Sequence, residues 1–146
     1  MDQTALVSDQ VEDGKRLLLR LAEEGIGVTA AAWLKESDGE RWHLYLATPL
    51  VREDTDPRPA FRRILLVVQR MPQLSWIEPL TIRLVEGDGP LAQAVAQLHR
   101  RHPGNRGIPY DGAQLGGVSI EGAYIYPELP APDQKNRQGA GVNSTV

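Results

Sequence analysis

Residues 28–50 read VTAAAWLKESDGERWHLYLATPL, two apolar-rich runs joined through Asp38-Gly39. Each run is long enough for a strand. Asp-Gly between β-like runs is a strong hairpin signal, because a type I′ turn needs positive φ at both central positions. Taking Asp38 and Gly39 as the loop fixes a register: Glu36 opposite Arg41, Lys35 opposite Trp42, Leu34 opposite His43, Trp33 opposite Leu44, and Ala32 opposite Tyr45. Side chains alternate along a strand, so Ala31, Trp33, Trp42, Leu44 and Leu46 share one face. Leu34, Glu36, Arg41, His43 and Tyr45 share the other. The tryptophan face is expected to meet helices and the histidine face to be at least partly wet. A slip of one residue would exchange them.

Helical periodicity flanks the hairpin. In Val11 to Glu24, Val11, Gly14, Leu17, Leu18, Leu21 and Ala22 fall on one face, with Asp13, Arg16, Arg20 and Glu23 opposite. Ser8 or Asp9 can cap this helix, and Gly25 suits the C′ position, where positive φ is needed. After an acidic loop, PRPAFRRILLVVQRMP places Phe61, Ile64, Leu65 and Val68 at i, i+3, i+4 and i+7. Asp56 and Pro57 suit the start of this second helix, and Pro72 ends it. Leu66 points into the polar face and is the one misfit. Leu80 to Glu86 alternates as a strand, and Leu91 to Arg101 is a third helix with Asp88 as its cap. Residues 104–117 read as a long glycine-rich loop. Val118 to Tyr126 is a last strand with Val118, Ile120, Tyr124 and Tyr126 on one face.

The order α-β-β-α-β-α-β predicts an α+β fold. The expected form is a two-layer sandwich, a mostly antiparallel sheet of four to five strands with about three helices packed mainly on one face. The C-terminal strand-helix-strand unit is the expected source of any parallel pair. Residues 1–127 read as one domain. Residues 128–146, ELPAPDQKNRQGAGVNSTV, have little to bury and read as a disordered tail.

Bulk properties narrow the function classes. The 146 residues can bury a proper core, and 41% hydrophobic with 24% charged residues is ordinary globular composition. A net charge of −3 gives no global attraction to nucleic acid or anionic membrane, so a basic site has to be local. The absence of cysteine excludes disulfides, thiolate metal sites and a cysteine nucleophile. The N-terminus lacks a signal-peptide pattern, and no apolar run nears the ~20 residues that span a bilayer. A cytoplasmic protein without membrane contact is the resulting expectation.

Two basic stretches stand out. Arg58, Arg62, Arg63 and Arg70 occupy the polar arc of the second helix, with no acidic residue between Asp56 and Glu78. His99 to Gly107 carries Arg100, Arg101 and Arg106 at a helix end and into a loop. Guanidiniums in such sets can grip phosphates or an acidic partner, and Tyr110 can stack on a base. The structural alternatives are a solvated helix face and cations complementing a helix C-terminus. His99 and His102 with His43 lack diagnostic zinc spacing, and His102 falls on the apolar side of its helix. Glu86 and Asp88 in one turn would repel phosphate, and no serine sits in a nucleophile elbow. No cofactor motif is found. His43 with Glu36 is the best general acid-base pair available.

These features point to a small non-enzymatic domain acting through protein contacts, with itself or with a neighbouring protein. The sheet edges and the three tryptophans support that reading. The first alternative is nucleic-acid binding through Arg62, Arg63, Arg70, Arg100, Arg101 and Arg106, and the second is an enzyme of unidentified reaction.

Overall fold

A computed structural model describes residues 6 and 8–129. The order is α1 (Ser8–Glu23), β1 (Ala30–Glu36), β2 (Trp42–Thr48), α2 (Arg58–Gln69), a 3₁₀ turn (Pro79–Thr81), β3 (Ile82–Glu86), α3 (Pro90–Arg101), β4 (Ile108–Tyr110), β5 (Gln114–Leu115) and β6 (Val118–Ile125). This is an α+β fold with the expected sequence of main elements. The mixed sheet runs β3-β2-β1-β6-β4, with β5 paired to β6, and is mostly antiparallel.

The hairpin holds the predicted register, Ala30↔Ala47 through Lys35↔Trp42. Its turn differs. The strands end at Glu36 and resume at Trp42, and Gly39 N–H bonds Glu36 O at 3.0 Å, so Ser37 and Asp38 are the turn's centre. Positive φ is found at Gly25, Gly104, Gly116 and Gly117 and not at Gly39. The end of β1 is drawn toward β6, where Ser37 N–H bonds Ser119 O at 3.0 Å, and this widens the loop without changing the pairing.

Strand alternation divides the core in two. Ala31, Trp33, Leu44 and Leu46 pack with Leu17, Leu18 and Leu21 of α1 and Ile64 and Val67 of α2. Ala30, Ala32, Leu34, Tyr45 and Ala47 pack with Leu91, Ala92, Val95 and Leu98 of α3. Two helices thus share the tryptophan face, as expected. The third covers the middle of the other face and adds a layer, leaving the Glu36–His43 end partly wet.

Several expectations are corrected. The parallel pair is β2 with β3, reached across α2 and not across the C-terminal unit. The 104–117 stretch contains β4 and β5. On β6, Ile120 joins the α3 core while Tyr124 and Tyr126 join the α1 side. A bulge is responsible: Lys35 pairs with Gly122 but Glu36 with Ile120, which shifts the alternation by one. Asp13 is not on an outer face. It is buried, and its carboxylate accepts Ser75 N–H and Trp76 N–H, each at 2.9 Å, tying the segment after α2 to α1. The cap of α3 is Gly89 and not Asp88. Of the expected tail, Leu129 packs against the core, and residues 130–146 lie outside the described residues.

Candidate functional site

The two sheet edges differ in character. β4 is three residues long and contains Pro109, which cannot donate a ladder hydrogen bond. β3 spans five residues without proline, pairs β2 on one side and has no neighbouring strand on the other among the described residues. The segment that delivers it is unusually apolar for a surface. Leu80 is 77% exposed and Trp76 is 37% exposed, whereas Trp33 is fully buried. This segment is held in place from two sides. Asp13 fixes the Ser75 and Trp76 amides, and Glu78 with Thr81 forms a capping box around the 3₁₀ turn.

Beside β3, four polar side chains converge on the α3 face. His43 Nδ1 lies 3.7 Å from Glu36 Oε1, and Arg83 donates toward His43 Nε2 at 3.3 Å. Arg83 Nε is 3.9 Å from Glu36 Oε2, and the Tyr45 hydroxyl donates to Glu36. A guanidinium can only donate, so Nε2 is the accepting nitrogen and the neutral ring carries its proton on Nδ1. Nδ1 is buried and, although near the Glu36 carboxylate, makes no hydrogen bond among the described residues. Burial and the neighbouring Arg83 charge hold the His43 pKa below the ordinary value, against a smaller opposing pull from Glu36. Burial and the Glu36 carboxylate push Tyr45 up to about 12. The sequence-predicted pair His43 and Glu36 is therefore brought together. Tyr45 lay on the same predicted face, and Arg83 became visible only with the β2–β3 register.

A crevice of about 670 Å³ opens at the carboxyl ends of β2 and β3. There the chain parts, α2 going to one face of the sheet and α3 to the other, the arrangement that leaves a gap outside parallel strands. Glu53, Asp54, Glu86 and Asp88 rim it, with Arg52. An adjoining cleft of about 450 Å³ has Val51, Pro57, Leu84, Val85, Leu91 and Val118 along its walls. No group of three or more potential metal ligands occurs among the described residues.

The two basic stretches are separated. Arg62 and Arg63 are exposed on α2 and Arg70 at its C-cap, on the tryptophan face of the sheet; Arg100 and Arg101 end α3 on the opposite face, and Arg106 follows in the loop. Arg70 pairs with Glu24 at 3.1 Å and Arg58 with Asp56 at 2.9 Å. His99, not His102, is the anchored histidine: its Nε2 lies 2.8 Å from Tyr126 O, while His102 is exposed at the helix end.

Comparison with known proteins gave no match to a family model, to a curated protein or to a solved structure. No described helix is long and apolar enough to cross a membrane.

Proposed function

We propose that this protein is a small non-enzymatic domain of the cytoplasm that acts through protein contacts, accepting an extended segment of a partner protein along β3. The observation that carries this reading is the asymmetry of the sheet edges. One edge is short and blunted by Pro109. The other is open, and the segment leading into it exposes Trp76 and Leu80. Proteins guard open edges because unpaired strands recruit others, and β3 carries charged Arg83 and Glu86 but no proline to block pairing. Added strands draw affinity from backbone hydrogen bonds and specificity from side-chain anchors, and here Leu80 and Trp76 are the anchors.

The test is selection of peptides on the immobilised protein, followed by amide hydrogen exchange with and without the best binder. Peptides of alternating apolar pattern should slow exchange across Ile82–Glu86, and Leu80→Asp should abolish their binding. Binders that leave the β3 amides untouched would sink the reading.

A second reading, nucleic-acid binding, is supported by the exposure of Arg62 and Arg63, neither of which forms an ion pair among the described residues. Fluorescence anisotropy with mixed-sequence DNA and RNA separates the two. Binding that falls steeply with salt and is lost in Arg62→Glu/Arg63→Glu would favour this reading over strand capture.

A further inference from the structure

Two surfaces carry net charge of opposite sign, and each adjoins apolar groups. On the outer face of α2, Leu66 is 52% exposed. Arg62 and Arg63 stand one turn before it and Arg70 one turn after, the spacings that make helix side chains neighbours. Arg70 is occupied by Glu24, Arg62 acts on Asp56 only through its field, and Arg63 has no ion pair among the described residues. The second surface is the crevice at the ends of β2 and β3. It runs into the adjoining cleft, with which it shares Val51, Arg52, Glu53 and Glu86, and the walls of that cleft are apolar through Val51, Leu84, Val85 and Leu91. Of the crevice's rim carboxylates Glu53, Asp54, Glu86 and Asp88, none forms an ion pair among the described residues.

We propose that Leu66 of one copy, ringed by its arginines, seats in the acid-rimmed crevice of a second copy, so that the chain associates head to tail. An exposed leucine inside a basic ring matches an apolar hollow inside an acidic rim in both polarity and sign, and one chain carries both halves. A nucleic-acid backbone would use the arginines but has no place for the leucine. The basic end of α3 is the weaker match, since no large exposed apolar side chain stands among Arg100, Arg101 and Arg106. The two surfaces are different patches, so the contact is heterologous and propagates into chains unless its rotation closes a ring. The rim pairs are solvent-exposed, so salt weakens the contact.

Sedimentation velocity of the full chain across a concentration series, at low and high salt, tests this with two variants. Leu66→Glu removes the knob, and Val51→Arg fills the crevice. Wild type should form species larger than monomer that shrink with salt. Each variant alone should remain monomeric. An equimolar mixture of the two should form a 1:1 dimer and nothing larger, because one intact knob meets one intact crevice. That complementation is peculiar to a head-to-tail contact, since a self-matched dimer interface damaged in both partners would not recover. Circular dichroism verifies folding, and Glu53→Lys, an exposed rim change, replaces Val51→Arg if that variant misfolds. A wild type that stays monomeric throughout would overturn the proposal. So would variants that still associate alone, or a mixture that stays monomeric. DNA binding that depends on Arg62 and Arg63 but not on Leu66 would overturn it in favour of a phosphate-binding face.

Discussion

Gly14 lies inside α1, where alanine would ordinarily stabilise a helix by about 0.5–1 kcal/mol. Here an added Cβ would stand 2.0 Å from Tyr126 Oη and 3.1 Å from Trp33 Nε1. Tyr126 cannot step aside cheaply. It is buried, and its hydroxyl accepts from Trp33 Nε1 at 2.9 Å and donates to Val11 O at 2.7 Å. Gly14→Ala should therefore reverse the usual sign and destabilise by about 1–3 kcal/mol, the cost of overpacking. Tyr126→Phe removes the nearest clashing atom, so a double-mutant cycle by urea unfolding should show positive rescue. Strict additivity of the two changes would refute the close approach. His43 yields a second expectation with a definite sign. Its native pKa is held below the ordinary 6.5, so the unfolded chain binds the proton more readily. That contribution to stability is present above pH 6.5 and is lost as pH falls through 6.5 toward the native value. His43→Gln should flatten the pH dependence of unfolding between about pH 7.5 and about pH 5.5, the range in which histidine titrates. An unchanged slope would mean that the ring titrates alike in both states.

The Gly116–Gly117 hairpin joins β5 to β6 with Leu115 opposite Val118, and both glycines have positive φ, at 58° and 86°. A Cβ at Gly117 would meet nothing within 4 Å, whereas one at Gly116 would stand 2.4 Å from Leu91 Cα at the start of α3. Gly117→Ala should therefore cost only the left-handed backbone penalty of about 1–2 kcal/mol. Gly116→Ala should cost clearly more, because it also pushes α3 off the sheet. Thermal unfolding of the two variants ranks them, and equal losses would exclude the contact with α3. The same dipeptide shows what was legible in the sequence. Gly-Gly is as good a type I′ turn as Asp-Gly, yet its β5 arm is too short to display alternation, so it dissolved into an apparent loop. The β1–β2 register survived a wrong turn type because alternation of apolar side chains over six pairs fixes it independently. Helix positions were readable from periodicity. What periodicity cannot report is a bulge such as the one opposite Lys35 and Glu36, or a buried carboxylate such as Asp13, whose partners lie 62 and 63 residues away. For the candidate site, His43 and Glu36 followed from the hairpin. Arg83 required the parallel β2–β3 pairing, and the open edge at β3 required the strand order, neither of which local patterns encode.

Strand β1 is central in the sheet, and its successive side chains feed both cores: Trp33 is fully buried under α1 and α2, and Leu34 is fully buried under α3. Neither core is bounded by chain of its own, since β1, β2 and β6 contribute to each. A defect in one should therefore be felt in full by the other. Leu34→Ala should destabilise by about 2–5 kcal/mol, as buried leucine truncations do. The informative reading comes from the opposite face, where Trp33, left as the sole tryptophan in a Trp42→Phe/Trp76→Phe background, reports on the α1–α2 side by fluorescence. If the three layers unfold as one unit, the Trp33 transition moves with the far-ultraviolet circular dichroism transition, and both midpoints fall by the same amount. If α3 and its core melted alone, circular dichroism would show an earlier phase while Trp33 stayed at its wild-type midpoint. The shared strands make the single transition the expected result. Because the sheet would then hold its shape until global unfolding, the open β3 edge and the crevice between the starts of α2 and α3 keep a fixed spacing, which both proposed contacts require.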